Sequence, residues 1–265
     1  MQKYIVIADD LTGSNATCSL FKKIGLRAAS ILKLQGGVSY DVDVISYSTA
    51  SRGLDKEEAY KKVSEAIKIL KNKDVLVYNK RIDSTLRGNI GTEINAMLDN
   101  LEDDRIAVVV PAYPDSGRIV VNKTMLVNGV LLENSDAGKD PKTPIKTSCV
   151  ESLVQKDIKY SSTYFTLSDI AQPIEEIAKK MQKAIKNSRV LIFDAVNNED
   201  IIKISKAVIH SNINIITVDP GPFTLYYSKE LQKKNHLEKK ILMVIGSVTA
   251  TTKKQIEYIL QEEDI

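Results

Sequence analysis

Short apolar runs alternate with longer amphipathic stretches along almost the whole chain. The runs fall at 3–8 (KYIVIA), 27–32 (RAASIL), 42–47 (VDVISY), 74–79 (DVLVYN), 105–110 (RIAVVV), 189–194 (RVLIFD), 213–218 (INIITV) and 241–246 (ILMVIG). Continuous Val/Ile runs of this kind predict strands covered on both faces. Between most of them the apolar positions recur at helical spacing, predicting helices over 14–24, 55–72, 89–101, 173–187, 198–210 and 223–233. The alternation predicts an α/β fold: a mostly parallel sheet with helices on both faces, Rossmann-like and three-layered, with right-handed crossovers.

Two stretches depart from that rhythm. Residues 111–145 carry prolines and glycines, and Asn128-Gly129 between Val127 and Val130 predicts a hairpin there. So long an insertion within a compact domain signals function rather than mere connection. Residues 239–265 supply one strand, a Gly-Ser turn and one helix, too little to bury their own apolar faces. The expected division is therefore a domain over 1–238 and, over 239–265, the first strand and helix of a further, incomplete one. The strand at 241–246 is expected to be the least ordered, or to be held by a second copy in a homodimer.

Composition narrows the class. With 265 residues, 43% hydrophobic and 27% charged, the chain can build a sizeable core. A net charge of +3, with Lys and Glu interspersed on helical faces, gives no reason to expect a nucleic-acid partner. Cys18 and Cys149 lie far apart in no metal spacing and read as reduced thiols. The N-terminal apolar run is too short for a signal peptide or membrane anchor, so a cytoplasmic protein without a membrane partner is expected.

In open α/β sheets, ligands bind beyond the carboxyl ends of the strands, and the polar residues concentrate there. The first strand delivers Asp9 and Asp10 into the start of a helix, a base or hydroxyl-binding element. The competing reading is that Asp10 or Thr12 simply caps that helix. The third strand delivers STASRG (48–53), with Arg52. The fourth opens into KRIDSTLRG (80–88), where Lys80, Arg81 and Arg87 would meet an anion while Asp83 and Ser84 would take hydroxyls. Gly88 and Gly91 would let the backbone approach a ligand. PAYPDSGR (111–118) adds Tyr113, Gly117 and Arg118 after the fifth strand. Carboxylates, hydroxyls and several arginines together fit a small, anionic, polyhydroxylated ligand, a sugar acid or a sugar phosphate. Neither a G-x-x-x-x-G-K-[ST] nor a G-x-G-x-x-G motif is present, and His210 and His236 sit in patterns that disfavour a triad or zinc site.

ADDLTGSN (8–15), STASRG (48–53), KRIDSTLRGNIGTEINAML (80–98), PAYPDSGR (111–118), KDPKTP (139–144) and IGSVTATTKKQI (245–256) together resemble the ordered motifs of the four-carbon acid sugar kinase family. Ala16 stands where that family commonly has Asp, and Arg81 where it commonly has Lys. The resemblance implies ATP-dependent phosphorylation, with Mg2+, of an acid such as threonate or erythronate. It gives sugar-acid contacts to Asp9, Asp10, Arg52 and the 81–84 stretch, and places Gly246 and Ser247 at the start of a C-terminal nucleotide-binding domain. Asp9 or Asp10 is the expected positioning or general base, with Asp83 in reserve; the sequence leaves the choice open. Arg52 and Arg87 are expected to be solvated arginines that bind the acid and contribute little to folding. On this reading the chain is a truncated kinase, inactive alone, that lacks most of the nucleotide-binding domain. The alternative is a non-catalytic sugar-acid-binding or regulatory module.

Overall fold

The computed structural model describes residues 3–35, 40–101, 104–237, 245–246 and 249–259. By internal packing the chain divides into two compact units, Met1–Gln232 and Lys233–Ile265. In chain order the elements begin β1 (Tyr4–Ala8), α1 (Leu11–Lys22), β2 (Ala28–Ile31), β3 (Val44–Ser48), α2 (Lys56–Leu70), β4 (Val77–Arg81), α3 (Ile90–Leu101) and β5 (Ile106–Val109). A small sheet follows, of β6 (Arg118–Val121), β7 (Thr124–Val127) and β8 (Val130–Leu131), then α4 (Val150–Gln155), β9 (Ser162–Phe165), α5 (Leu167–Ile170) and α6 (Ile174–Ala184). The series continues with β10 (Val190–Phe193), α7 (Asn198–Ser211), β11 (Ile215–Asp219) and α8 (Pro222–Leu237). Within the second unit, α9 spans Ala250–Ile259. The strand expected at 241–246 falls largely outside the described residues.

Eight strands form one wholly parallel sheet in the order β2-β3-β1-β4-β11-β5-β10-β9. The seven expected strands of the first unit are present. The edge strand β9 is not among them: its Ser-Thr-Tyr-Phe sequence is half-buried and lacks an apolar run. Strand parity assigns the faces, because successive side chains point to opposite sides. On β4, Asn79 and Arg81 share the face covered by α1 and α8, where Ser14 meets Ser46 at 2.7 Å and Thr224 meets Asn79 at 2.7 Å. Lys80 points the other way, into the layer of α2 and α3, and pairs with Glu93 of α3.

The insertion forms an antiparallel sheet in the order β6-β7-β8. Asn128 and Gly129 make the expected hairpin turn, both at positive φ (50° and 80°), as a type I′ turn requires. A second such turn at Asn122-Lys123 (φ 49° and 68°) carries no glycine and escaped the sequence reading. It is pinned to the main sheet by Asp194 at the end of β10, whose carboxylate accepts the N–H of Asn122 at 2.8 Å and of Lys123 at 3.1 Å. Among the described residues no helix is long and apolar enough to cross a membrane.

Candidate functional site

From β1 the chain runs to one side of the sheet through α1; from the neighbouring β4 it runs to the other side through α3. The two connections therefore leave on opposite faces and open a crevice at the carboxyl ends, a topological switch point. Register brings four residues into one row across this edge: Ser48 of β3, Ala8 of β1, Arg81 of β4 and Asp219 of β11. Asp9 and Asp10 follow Ala8 directly, so the crevice holds three of the predicted motifs side by side.

Asp10 does both things the sequence allowed. It caps α1, accepting the Gly13 N–H at 2.6 Å, while its other oxygen lies 2.9 Å from Arg52 Nη1. Asp9 places both oxygens on Arg52, at 2.7 Å from Nε and 3.1 Å from Nη2. The loop carrying Arg52 is tied to the end of β1, since Thr49 N–H donates to Ala8 O (2.9 Å) and Ser51 N–H to Asp9 O (3.0 Å). Arg52 also reaches Asp83 Oδ1 at 3.5 Å. It is thus not the solvated arginine expected: its side chain is 22% exposed, and its Asp9 partner only 3%. Burial works against its charge, but Asp9, then Asp83 and Asp10, raise its pKa beyond the ordinary arginine value.

Asp83 organises the turn after β4. Its backbone carbonyl accepts the Leu86 N–H at 3.0 Å, with Leu86 held at φ 57°. Its carboxylate takes Thr85 Oγ1 (2.6 Å), Arg87 Nε (2.6 Å) and Arg87 Nη2 (3.1 Å). Arg87 also donates to Asp140 Oδ2 at 2.9 Å, and Asp140 Oδ1 accepts the N–H groups of Lys142 (2.9 Å) and Thr143 (2.8 Å). The KDPKTP motif is thereby joined to the crevice through Arg87, which is bound up in carboxylates as Arg52 is. Gly88 is required here: it sits at φ 97°, and a Cβ would lie 3.2 Å from Arg52 Cγ. Ser84 is half-buried beside this turn.

Burial alone would raise the Asp83 carboxyl, yet the Arg87 hydrogen bond, the Arg52 charge and Thr85 outweigh it and hold it at about 2. A pKa depressed from about 4 contributes stability that is complete above about pH 4 and is lost as pH falls towards about 2, on the order of 2 kcal/mol. Urea unfolding at about pH 5 and about pH 2 should show that loss in the wild type and a smaller one in Asp83→Asn. Equal acid sensitivity in both would contradict this role. A carboxylate so saturated and so acidic is also a poor proton acceptor, which disfavours Asp83 as the base.

Adjacent in sequence, Lys80 and Arg81 have opposite fates. The Lys80 ammonium is wholly buried (0% exposed) and pairs with Glu93 Oε2 at 2.9 Å, Glu93 being 1% exposed. It also donates to Ile7 O (3.2 Å) and Arg81 O (2.9 Å), and Ser51 Oγ donates to the other Glu93 oxygen. Burial pushes the Glu93 carboxyl up, against the Lys80 charge. Lys80 therefore does not reach the crevice; it braces β1, β4, α3 and the Arg52 loop from behind. Arg81 lies on the crevice side of β4, its stem beside Gly13. Its Nη1 donates to the Ile82 carbonyl, but its buried Nε has no hydrogen-bond partner, and among the described residues it makes no ion pair. Burial lowers its pKa, while Asp219, Asp9, Asp83 and Asp10 act in the opposite sense.

A further cluster was not foreseen. Asp219, fully buried, accepts the Gly221 N–H (2.7 Å), the Thr224 N–H (3.1 Å), Asn79 Nδ2 (2.9 Å) and the Thr224 hydroxyl. Burial pushes its carboxyl up. The available signal was an Asp closing a strand, as in Asp9, here followed by Pro-Gly-Pro. Arg118 turns back onto the Ser116 carbonyl. Gly246 is exposed, and Ser247 lies outside the described residues. Among the described residues no three His, Cys, Asp or Glu side chains are grouped to hold a metal ion.

Comparison with known proteins identifies the family and the shared fold. Residues 4–227 match the family described as a sugar-binding N-terminal domain. The chain is 39% identical over 268 residues to a D-erythronate kinase of Heliobacterium modesticaldum, covering 98% of this chain and 60% of that protein. It is 31% identical over 260 residues to a D-threonate kinase of Salmonella typhimurium, covering 97% and 61%. The chain thus spans about 60% of the length of these relatives. A Haemophilus influenzae protein of known structure shares the fold with a TM-score of 0.75 at 25% identity, over 97% of this chain and 65% of that one. A Bordetella bronchiseptica protein, crystallised as a domain-swapped dimer with bound citrate, superposes with a TM-score of 0.75 at 24% identity, over 98% and 65%. By its match over 4–227 and its identity to these two kinases, the chain belongs to the four-carbon acid sugar kinase family.

Proposed function

We propose that the crevice between β1 and β4 binds a four-carbon sugar acid, of the erythronate or threonate type, and positions one of its hydroxyls for phosphorylation. The observation that carries this reading is Arg81: a buried guanidinium at a switch point, with an unpartnered Nε and no carboxylate of its own. A buried donor left unsatisfied is costly, and a carboxylate from solution would satisfy it. Arg52 and Arg87 are bound up in protein carboxylates, so they hold Asp9 and Asp83 as a fixed frame and leave the more exposed Asp10 as the acceptor for a ligand hydroxyl. Asp10 is the base or positioning group in this proposal, being 29% exposed where Asp9 is 3%. It would orient the attacking hydroxyl and draw on its proton as the bond to phosphorus forms.

Phosphoryl transfer demands positioning and charge stabilisation more than covalent chemistry. ATP, with Mg2+ on its phosphates, would supply the group transferred. The family resemblance seats ATP in a domain that opens at Gly246 and Ser247, so the 265 residues alone are expected to bind the acid without consuming ATP. An ATP-consumption assay with erythronate and threonate checks this, and substantial turnover would contradict it. For the acid site, Arg81→Gln should weaken calorimetric binding by about 1.5–3 kcal/mol, the worth of a charged hydrogen bond. Unchanged affinity would remove Arg81 from the site.

A further inference from the structure

Beyond the Arg52 stem the crevice continues into a second cleft of ≈ 450 Å³, within the usual size range of small-molecule sites. Its lining includes Arg52, Lys142, Lys146 and Lys156, together with Thr147 and Ser152, and no Asp or Glu. Gly88 and Asn89, immediately before α3, complete one wall. The carboxylates nearest these lysines in sequence are all committed elsewhere. Asp140 serves Arg87 and the Lys142 and Thr143 amides. Glu151 takes Lys123 at 2.6 Å, and Asp157 faces Lys56 at 3.3 Å. Arg52 is neutralised by Asp9, Asp10 and Asp83. Three lysines thus line one cavity without an ion-pair partner among the described residues.

We propose that this cleft is a phosphoryl-binding subsite, in which Lys142, Lys146 and Lys156 take a phosphate dianion beside the sugar-acid crevice. The anion site stands on the cavity and its charge; the choice of a phosphoryl group rests on the kinase reading above. Lysines suit this task as mobile point charges, each able to donate to a different phosphate oxygen. The crevice proper carries no excess of cations, with Arg52, Arg81 and Arg87 set against Asp9, Asp10, Asp83 and Asp140, whereas the cleft adds three lysines and no carboxylate. Continuity is provided by the loop after β3. Arg52 belongs to both walls, and a Cβ on Gly53 would stand 3.6 Å from Lys142 Cδ. A ligand with a carboxylate at Arg81 and a phosphoryl group in the cleft would span the two. That chemistry has two sources, the phosphate ester of the acid and the phosphate chain of a nucleotide.

The test is calorimetric titration at low salt, about 50 mM, where exposed lysines act most strongly. Inorganic phosphate, the O-phosphorylated four-carbon acid, ATP and the unphosphorylated acid are titrated separately. Each is run against the wild type and against the combined variant Lys142→Ala/Lys146→Ala/Lys156→Ala, whose replaced side chains are exposed. Saturable phosphate binding that weakens about tenfold or more in the variant is expected, with affinity for the unphosphorylated acid kept within about twofold. The ester that shares the loss identifies the source. Phosphate binding that is absent, or equal in the variant, overturns the subsite while leaving the acid crevice standing. Failure of the acid to bind, with lysine-dependent phosphate binding intact, overturns the sugar-acid reading and supports the anion site.

Discussion

Arg52→Ala is expected to destabilise the first unit by about 3–5 kcal/mol, the loss typical when one partner of a buried ion pair is removed. The deletion leaves Asp9, 3% exposed, without either of its Arg52 hydrogen bonds, and places it beside Asp10 and Asp83 with one neutralising charge fewer. Total stabilities of about 5–15 kcal/mol make this a large fraction of the fold. Urea denaturation measures it directly. A further change of Asp9 to Asn should restore part of the stability, because the stranded charge goes with it. A single variant as stable as the wild type would show that Arg52 is the solvated side chain its sequence suggested.

Lys80→Met should cost a similar amount, about 3–5 kcal/mol at neutral pH. The ammonium sits among Glu93, Ile7 O and Arg81 O, and its removal leaves Glu93 charged in the core. Burial already pushes the Glu93 carboxyl up, and losing Lys80 pushes it further. A carboxyl whose folded pKa lies above its unfolded value favours the fold at low pH, and that stability is lost as pH rises through the folded pKa. The deficit of Lys80→Met against the wild type is therefore expected to be smallest in acid and to grow with pH. Lys80→Met/Glu93→Gln should recover much of it at neutral pH. A deficit that ignores both pH and the second change would contradict the pairing.

These two lysine and arginine sites show how far the sequence could be read. The strands are legible because Val/Ile runs such as KYIVIA and RIAVVV are what a doubly covered parallel sheet requires, and the polar residues at their carboxyl ends mark the crevice. Membership of Lys80 in the ligand shell was not justified by its neighbours: strand parity sets it opposite Asn79 and Arg81, and applying the two-residue period to β4 would have turned it inward. The saturation of Arg52 was out of reach, because Asp9 stands 43 positions away and their meeting depends on how the loop after β3 wraps β1. Asp219 was missed by one residue, since the expected strand stopped at 218 and the carboxylate closes β11. The edge strand β9 could not be seen in Ser-Thr-Tyr-Phe, whose stability comes from pairing with β10 rather than from apolar pattern.

The β1–β4 crevice is proposed to recognise a carboxylate through Arg81 and a hydroxyl through Asp10. Calorimetric titration of the wild type with erythronate and with erythritol, the polyol of the same carbon skeleton without the carboxylate, separates the two contributions. Saturable binding of the acid and at least about tenfold weaker binding of the polyol are expected, with the difference abolished in Arg81→Gln. Equal affinity for acid and polyol, or no binding of either, would contradict that assignment.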